Sequence, residues 1–97
     1  MSQASSDISD STEDSRGWFV YILQCADGTL YTGMTNDLPR RIEQHNAGTA
    51  ARYTRARTPV ELVYQQETAN RSSALKREYA IKQLTRKQKD RLIAEQS

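Results

Sequence analysis

The chain has 97 residues, with 14 Lys+Arg, 12 Asp+Glu and one His, for a formal net charge of +2. That length holds one domain rather than two, and its core must be small. No apolar run approaches the roughly 18–20 residues that span a bilayer, and the one cysteine, Cys25, rules out an internal disulfide and a multi-cysteine metal site.

Residues 1–16 hold six serines and four acids, Asp7, Asp10, Glu13 and Asp14, against Arg16 alone. They carry no basic n-region or apolar h-region, which argues against a secretory signal, and too little apolar surface to offset ordering, so a disordered acidic tail is expected. Without this segment the 14 basic and 12 acidic side chains become 13 and 8, a net of +5 for residues 17–97. A moderate basic bias favours a polyanionic partner. Cys25 reads as a small apolar strand residue in a reducing compartment, and the expected location is cytoplasmic, with no membrane association.

Structure is expected to begin at Trp18. The run Trp18–Leu23 is aromatic and β-branched and suits a buried strand. Asp27-Gly28 is a hairpin signal, and Leu30-Tyr31-Thr32-Gly33 returns as a second strand, with Gly33 marking its end or a close backbone approach. Asn36 or Asp37 caps a helix with Pro39 in its first turn, running to about Ala47 and stopping at Gly48. Leu38 and Ile42 share one face of it. Residues 49–59 read as a long loop containing Arg52, Tyr53, Arg55 and Arg57. Val60 to Tyr64 reads as a third strand. A second helix starts near Asn70 or Ser72 and carries Ala74, Leu75, Ile81 and Leu84. Thr85-x-x-Gln88 has the capping-box pattern that opens a third helix. The order β-β-α-β-α-α gives an α+β domain over residues 17–97: a hairpin and one more strand in a three-stranded antiparallel sheet flanked by helices.

Familiar catalytic patterns are missing. The single His45 limits a Ser-His-Asp triad, no nucleophile elbow is present, and no G-x-x-x-x-G-K loop occurs. The acidic residues of the folded part are scattered, unlike the clustered carboxylates of a two-metal phosphodiesterase. What remains is a pairing of tyrosines with arginines. Tyr21 and Tyr31 lie on adjacent strands. Arg40, Arg41 and His45 lie on the next helix, and Glu78 lies on the second helix.

At these residues the chain resembles the GIY-YIG nuclease family. Phe19-Val20-Tyr21 resembles the GIY segment and Tyr31-Thr32-Gly33 the YIG segment. Arg41 stands ten positions after Tyr31, as in the family's first-helix motif, and Ala74-Leu75-x-x-Glu78 resembles the helix bearing its metal-binding glutamate. The Asp-Gly-Thr-Leu-Tyr-Thr-Gly run and the Arg-Tyr-Thr-Arg loop are similar to small stand-alone members of YhbQ type. The resemblance covers residues 17–93.

It implies an endonuclease that hydrolyses phosphodiester bonds in DNA rather than RNA, with a single divalent ion, Mg2+ or Mn2+, held by Glu78 as the only protein ligand. Tyr21 would activate water, its pKa of about 10 lowered by a nearby cation such as Arg41. Arg41 would also stabilise phosphate charge. Tyr31 would hydrogen-bond phosphate or water, and His45 would assist proton transfer. Gly33 would be needed for shape. Arg40, Arg52, Arg55 and Arg57 would contact backbone phosphates, with Tyr53 available to stack on an unpaired base. Phe19 stands in place of the GIY glycine and Met34 in place of a lysine that some relatives carry. Target choice would rest on DNA shape or on a protein partner, in repair or processing. A non-cleaving nucleic-acid-binding module is the alternative, and a protein-interaction domain whose arginines meet an acidic partner, or the acidic tail in cis, is a third reading.

Overall fold

A computed structural model describes residues 17–96, and the acidic segment 1–16 lies outside the described residues. Three strands form one antiparallel sheet: β1 (Trp18–Gln24), β2 (Leu30–Thr35) and β3 (Glu61–Thr68), in the order β2-β1-β3. The central position of β1 follows from its sequence. Val20, Tyr21, Ile22 and Leu23 are all buried, as a strand covered on both faces requires. Among the described residues four helices accompany the sheet: α1 (Leu38–Asn46), the single turn α2 (Arg52–Arg55), α3 (Arg71–Lys82) and α4 (Arg86–Gln96).

The sheet divides the core in two. Val20, Ile22 and Tyr64 pack with Ala74 and Ile81 of α3, and Leu30, Met34, Leu92 and Ile93 close around them. Tyr21, Leu23, Cys25, Leu38 and Val60 form a second cluster with Tyr31, Ile42 and Leu62. The period-2 alternation of β1 and β2 makes this division, sending Tyr21 and Tyr31 toward α1 and Val20, Ile22 and Met34 toward α3. Met34 is therefore a packing residue.

The helix boundaries follow local chemistry. Asp37 caps α1 by accepting from the Arg40 amide at 3.3 Å, and Asn70 caps α3 by accepting from the Ser73 amide at 2.9 Å. The capping box before α4 is reciprocal: the Thr85 amide donates to Gln88 Oε1 at 2.9 Å and the Gln88 amide to Thr85 Oγ1 at 3.2 Å.

Several expectations are corrected. The hairpin forms, but its connection runs over residues 25–29, held by the Cys25 amide donating to the Thr29 carbonyl at 2.8 Å, and Cys25 sits one position past β1. Gly33 lies inside β2, not at its end. The expected loop over 49–59 contains α2, because Thr54 buries its side chain and anchors a turn there. β3 continues to Thr68, past Tyr64, because it pairs with β1 as far as Trp18. Leu84 lies beyond α3, whereas Leu75 lies on it as expected and is 50 % exposed.

Candidate active site

The site begins with the register of the hairpin. Tyr21 on β1 faces Gly33 on β2, and Tyr31 pairs with Leu23 two positions away, so both phenols occupy the α1 side of the sheet. The Tyr21 ring lies across Gly33. A Cβ at position 33 would sit 2.5 Å from the Tyr21 hydroxyl and 2.7 Å from the ring carbon bearing it, so only glycine leaves room for the phenol there.

His45, in the last turn of α1, is 1 % exposed and meets both tyrosines edge-on, with ring centroids 5.9 Å from Tyr21 and 5.1 Å from Tyr31. Its Nε2 is 2.9 Å from the Tyr21 hydroxyl and its Nδ1 is 2.8 Å from Thr54 Oγ1. The Thr54 hydroxyl donates to the Ala51 carbonyl at 3.3 Å. A hydroxyl has one proton, so both Thr54 contacts are hydrogen bonds together only when Thr54 Oγ1 accepts from Nδ1–H. Nε2 is then the unprotonated nitrogen, and Tyr21 must donate to it. The donors run in one direction, from Tyr21 through His45 and Thr54 to the backbone of α2.

Charge agrees with this assignment. Burial, followed by the Arg41 charge, pushes the His45 pKa below its usual value, overriding the helix C-terminus that would favour the cation. Burial of Tyr21 raises its pKa strongly. Tyr31 and Glu78 add to the rise, and Arg41 opposes it without prevailing. The expectation that a cation would depress the Tyr21 pKa is therefore corrected: loss of hydration outweighs Arg41. Tyr31, Arg41 and Glu78 all act on Tyr21 electrostatically, which brings the four residues into one neighbourhood.

Glu78 projects from α3 with its side chain 16 % exposed, and its Oε2 is 3.4 Å from Lys82 Nζ one turn on. Among the described residues no group of three or more His, Cys, Asp or Glu could cage an ion. One hard carboxylate fits Mg2+ or Mn2+, which keep water and phosphate oxygens in their shell, provided the substrate supplies the rest. Any such ion competes with Lys82.

The loop residues are dispersed by comparison. Arg41 lines a small groove of about 130 Å3 with Arg40, and Arg52 and Arg55 border another of about 400 Å3 next to Gly48. Arg57 is bound within the protein: Nε donates to Asp27 at 3.0 Å and a terminal nitrogen to the Tyr53 carbonyl at 2.8 Å. Its guanidinium also lies 4.0 Å from the centre of the Tyr53 ring, and Tyr31 stacks on Tyr53 at 6.0 Å. Tyr53 is thus engaged by its neighbours, and Arg57 takes a ring face that a base would need. Thr54 was not singled out from sequence. It sits in the Arg-Tyr-Thr-Arg run, but nothing in the spacing announces that its hydroxyl meets His45, nine residues earlier.

Residues 17–91 match the model of the GIY-YIG catalytic domain. The chain belongs to the GIY-YIG family. It is 58 % identical over 81 residues to a UPF0213 protein of Desulfotalea psychrophila, covering 82 % of this chain and 74 % of that one. A UPF0213 protein of Natronomonas pharaonis is 51 % identical over 79 residues, 81 % of this chain and 93 % of the other. The solution NMR structure of a UPF0213 protein from Bacillus halodurans matches with a TM-score of 0.53 at 43 % identity, covering 79 % of this chain and 82 % of that one. These are small GIY-YIG proteins like this one, and membership puts the chain in a nuclease family whose substrate is nucleic acid. No helix among the described residues is long and apolar enough to cross a membrane.

Proposed function

We propose that this GIY-YIG protein is a divalent-metal-dependent endonuclease that hydrolyses phosphodiester bonds in DNA, directed by the shape of the strand and serving repair or processing. The observation that carries the reading is the buried chain Tyr21–His45–Thr54 beside Arg41 and Glu78. A phenol with a raised pKa cannot act as a stored phenolate at neutral pH. It can act as a base only if its own proton leaves as it takes another. His45 Nε2, unprotonated and 2.9 Å away, is the acceptor for that proton. As water attacks phosphorus, one of its protons passes to Tyr21 Oη and the Tyr21 proton passes to Nε2. The resulting imidazolium keeps its Nδ1–H on Thr54. Arg41 offers its guanidinium to the charge developing on the phosphoryl oxygens, and Tyr31 holds the phosphate or the water. Glu78 would hold the Mg2+ or Mn2+ ion, whose chemistry is to stabilise charge on the leaving oxygen. Arg40, Arg52 and Arg55 would contact flanking phosphates, and a protein partner would refine the choice of target.

The test is cleavage of labelled single-stranded, duplex, flap and branched DNAs with Mg2+ or Mn2+, comparing the wild type with Glu78→Ala. The expected outcome is cutting that falls by at least about 100-fold in the variant, since loss of metal-borne charge stabilisation is worth several kcal/mol. Cutting that survives the substitution would remove Glu78 as the ligand. Salt-sensitive binding with no turnover under any metal would replace the nuclease reading with a non-cleaving binding module.

A further inference from the structure

The exposed face of α3 is out of keeping with a solvated helix. Leu75 and Tyr79 stand one turn apart, 50 % and 68 % exposed, and are among the few large apolar side chains left uncovered. Among the described residues no side-chain hydrogen bond or ring contact engages Tyr79. With Lys76, Glu78 and Lys82 the pair lines a groove of about 390 Å3. Lys82 also borders a second groove, of about 260 Å3, shared with Tyr31, Thr32, Tyr53 and Lys89. Lys82 thus borders both grooves, with Tyr31 on one and Glu78 and Tyr79 on the other. Thr32, 5 % exposed, has a hydroxyl with no partner among the described residues and lines the second groove.

We propose that the Leu75–Tyr79 face is a stacking platform for one unpaired base of the nucleic-acid strand whose phosphate lies at Glu78. The proposal rests on the nuclease reading and deepens it. Three observations select this occupant. The helix carries Arg71, Lys76, Arg77 and Lys82 against Glu78 alone, so the charge complementary to it is a polyanion. A second copy of the chain would bring a second net-positive helix face against this one, whose single carboxylate, Glu78, is already paired with Lys82, and a like-charge interface resists that. An exposed aromatic ring flanked by lysines is also the pattern on which single strands are held, because every base has a π-face to offer. A paired base has both faces occupied by its stack and cannot lie on Tyr79. Tyr53, the aromatic expected from sequence to do this, is taken up by Arg57 and Tyr31. Tyr79 is the ring left free, one residue from Glu78.

The experiment is fluorescence anisotropy of the full chain with Ca2+ in place of Mg2+ and Mn2+, so that Glu78 keeps a cation to meet the phosphate, with probe integrity checked on a gel. The probes are short single-stranded oligonucleotides in which one abasic position is moved along the strand, and the matched duplex. The wild type is expected to lose about tenfold in affinity at one abasic position and to prefer the single strand. Tyr79→Phe should keep that position dependence. Tyr79→Ala should bind intact and abasic strands alike, and Leu75→Ala should weaken the intact strand only. Both residues are exposed, so melting curves of the variants should match the wild type. Wild-type affinity and position dependence in Tyr79→Ala would overturn the platform while leaving the nuclease reading intact. Failure of the wild type to bind any strand would overturn both. Sedimentation without nucleic acid that shows a dimer abolished by Tyr79→Ala would assign the face to a second copy and overturn the proposal.

Discussion

At the scale of single residues, the site is governed by one hydroxyl proton. Thr54 donates to the Ala51 carbonyl and so leaves its oxygen to accept from His45 Nδ1. That choice fixes which imidazole nitrogen is free to act as a base. Thr54→Val keeps the volume and shape but removes the acceptor. We expect it to loosen the tautomer, visible as a change in the 15N shifts of the His45 ring, and to lower kcat by about tenfold, a part of the 10²–10⁴-fold that acid–base catalysis supplies. Thr54→Ser, which restores the hydroxyl, should restore both. Unchanged 15N shifts in the valine variant would remove Thr54 from the positioning of His45. Gly33 shows the same economy. It was legible in sequence as a position where a side chain would crowd the site, but which atom it would crowd, the Tyr21 hydroxyl, depends on the register of β1 against β2.

At the scale of elements, α3 performs two tasks with one short sequence. Ala74 and Ile81 bury its inner face against the sheet, and Glu78 reaches the neighbourhood of Tyr21 from the same helix. Its start is held by the Asn70 side chain on the Ser73 amide. Removing that cap with Asn70→Ala should cost about 1 kcal/mol, read as a lower urea midpoint with an unchanged m-value. A loss below a few tenths would mean that the packing of Ala74 and Ile81 holds the first turn without the cap. The helix was legible from Asn70, Ala74 and Ile81, and the capping box before α4 from Thr85 and Gln88. Leu75 was legible as a residue of this helix but not as an exposed one: Ala74 and Ile81 take the inner face and leave it 50 % exposed. The single turn α2 was invisible for a related reason. Four residues carry no helical period, and α2 exists because Thr54 is buried under His45.

At the scale of the whole molecule, the small core holds two titratable groups in their neutral forms, and stability should therefore depend on pH at both ends. His45 has its folded pKa lowered, first by burial and then by Arg41. The unfolded chain takes up a proton below about pH 6.5 that the folded state refuses. The stabilisation is therefore present above that pH and is lost as the pH falls below it. Tyr21 has its folded pKa raised, first by burial and then by Tyr31. Its stabilisation is present below about pH 10 and is lost as the pH rises beyond it. A plot of Tm against pH should thus show a plateau with an acid and an alkaline limb. His45→Gln should shallow the acid limb alone, and an acid limb of wild-type steepness in that variant would assign it to the carboxylates instead.

The sequence by itself determined the class of the fold, the order of its strands and major helices, and the membership that Tyr21, Tyr31, Arg41 and Glu78 announce together. These are local matters of period, capping and motif spacing, and they survive without knowledge of which surfaces meet. Only the tertiary structure decided what those residues are free to do. It packed Met34 against the core, tied Arg57 and Tyr53 to each other, and left Tyr79 uncovered. It also reversed the expected sign of the Tyr21 pKa shift. The number of waters a phenol loses is set by everything packed around it, and that quantity outweighed the one cation the spacing had brought near.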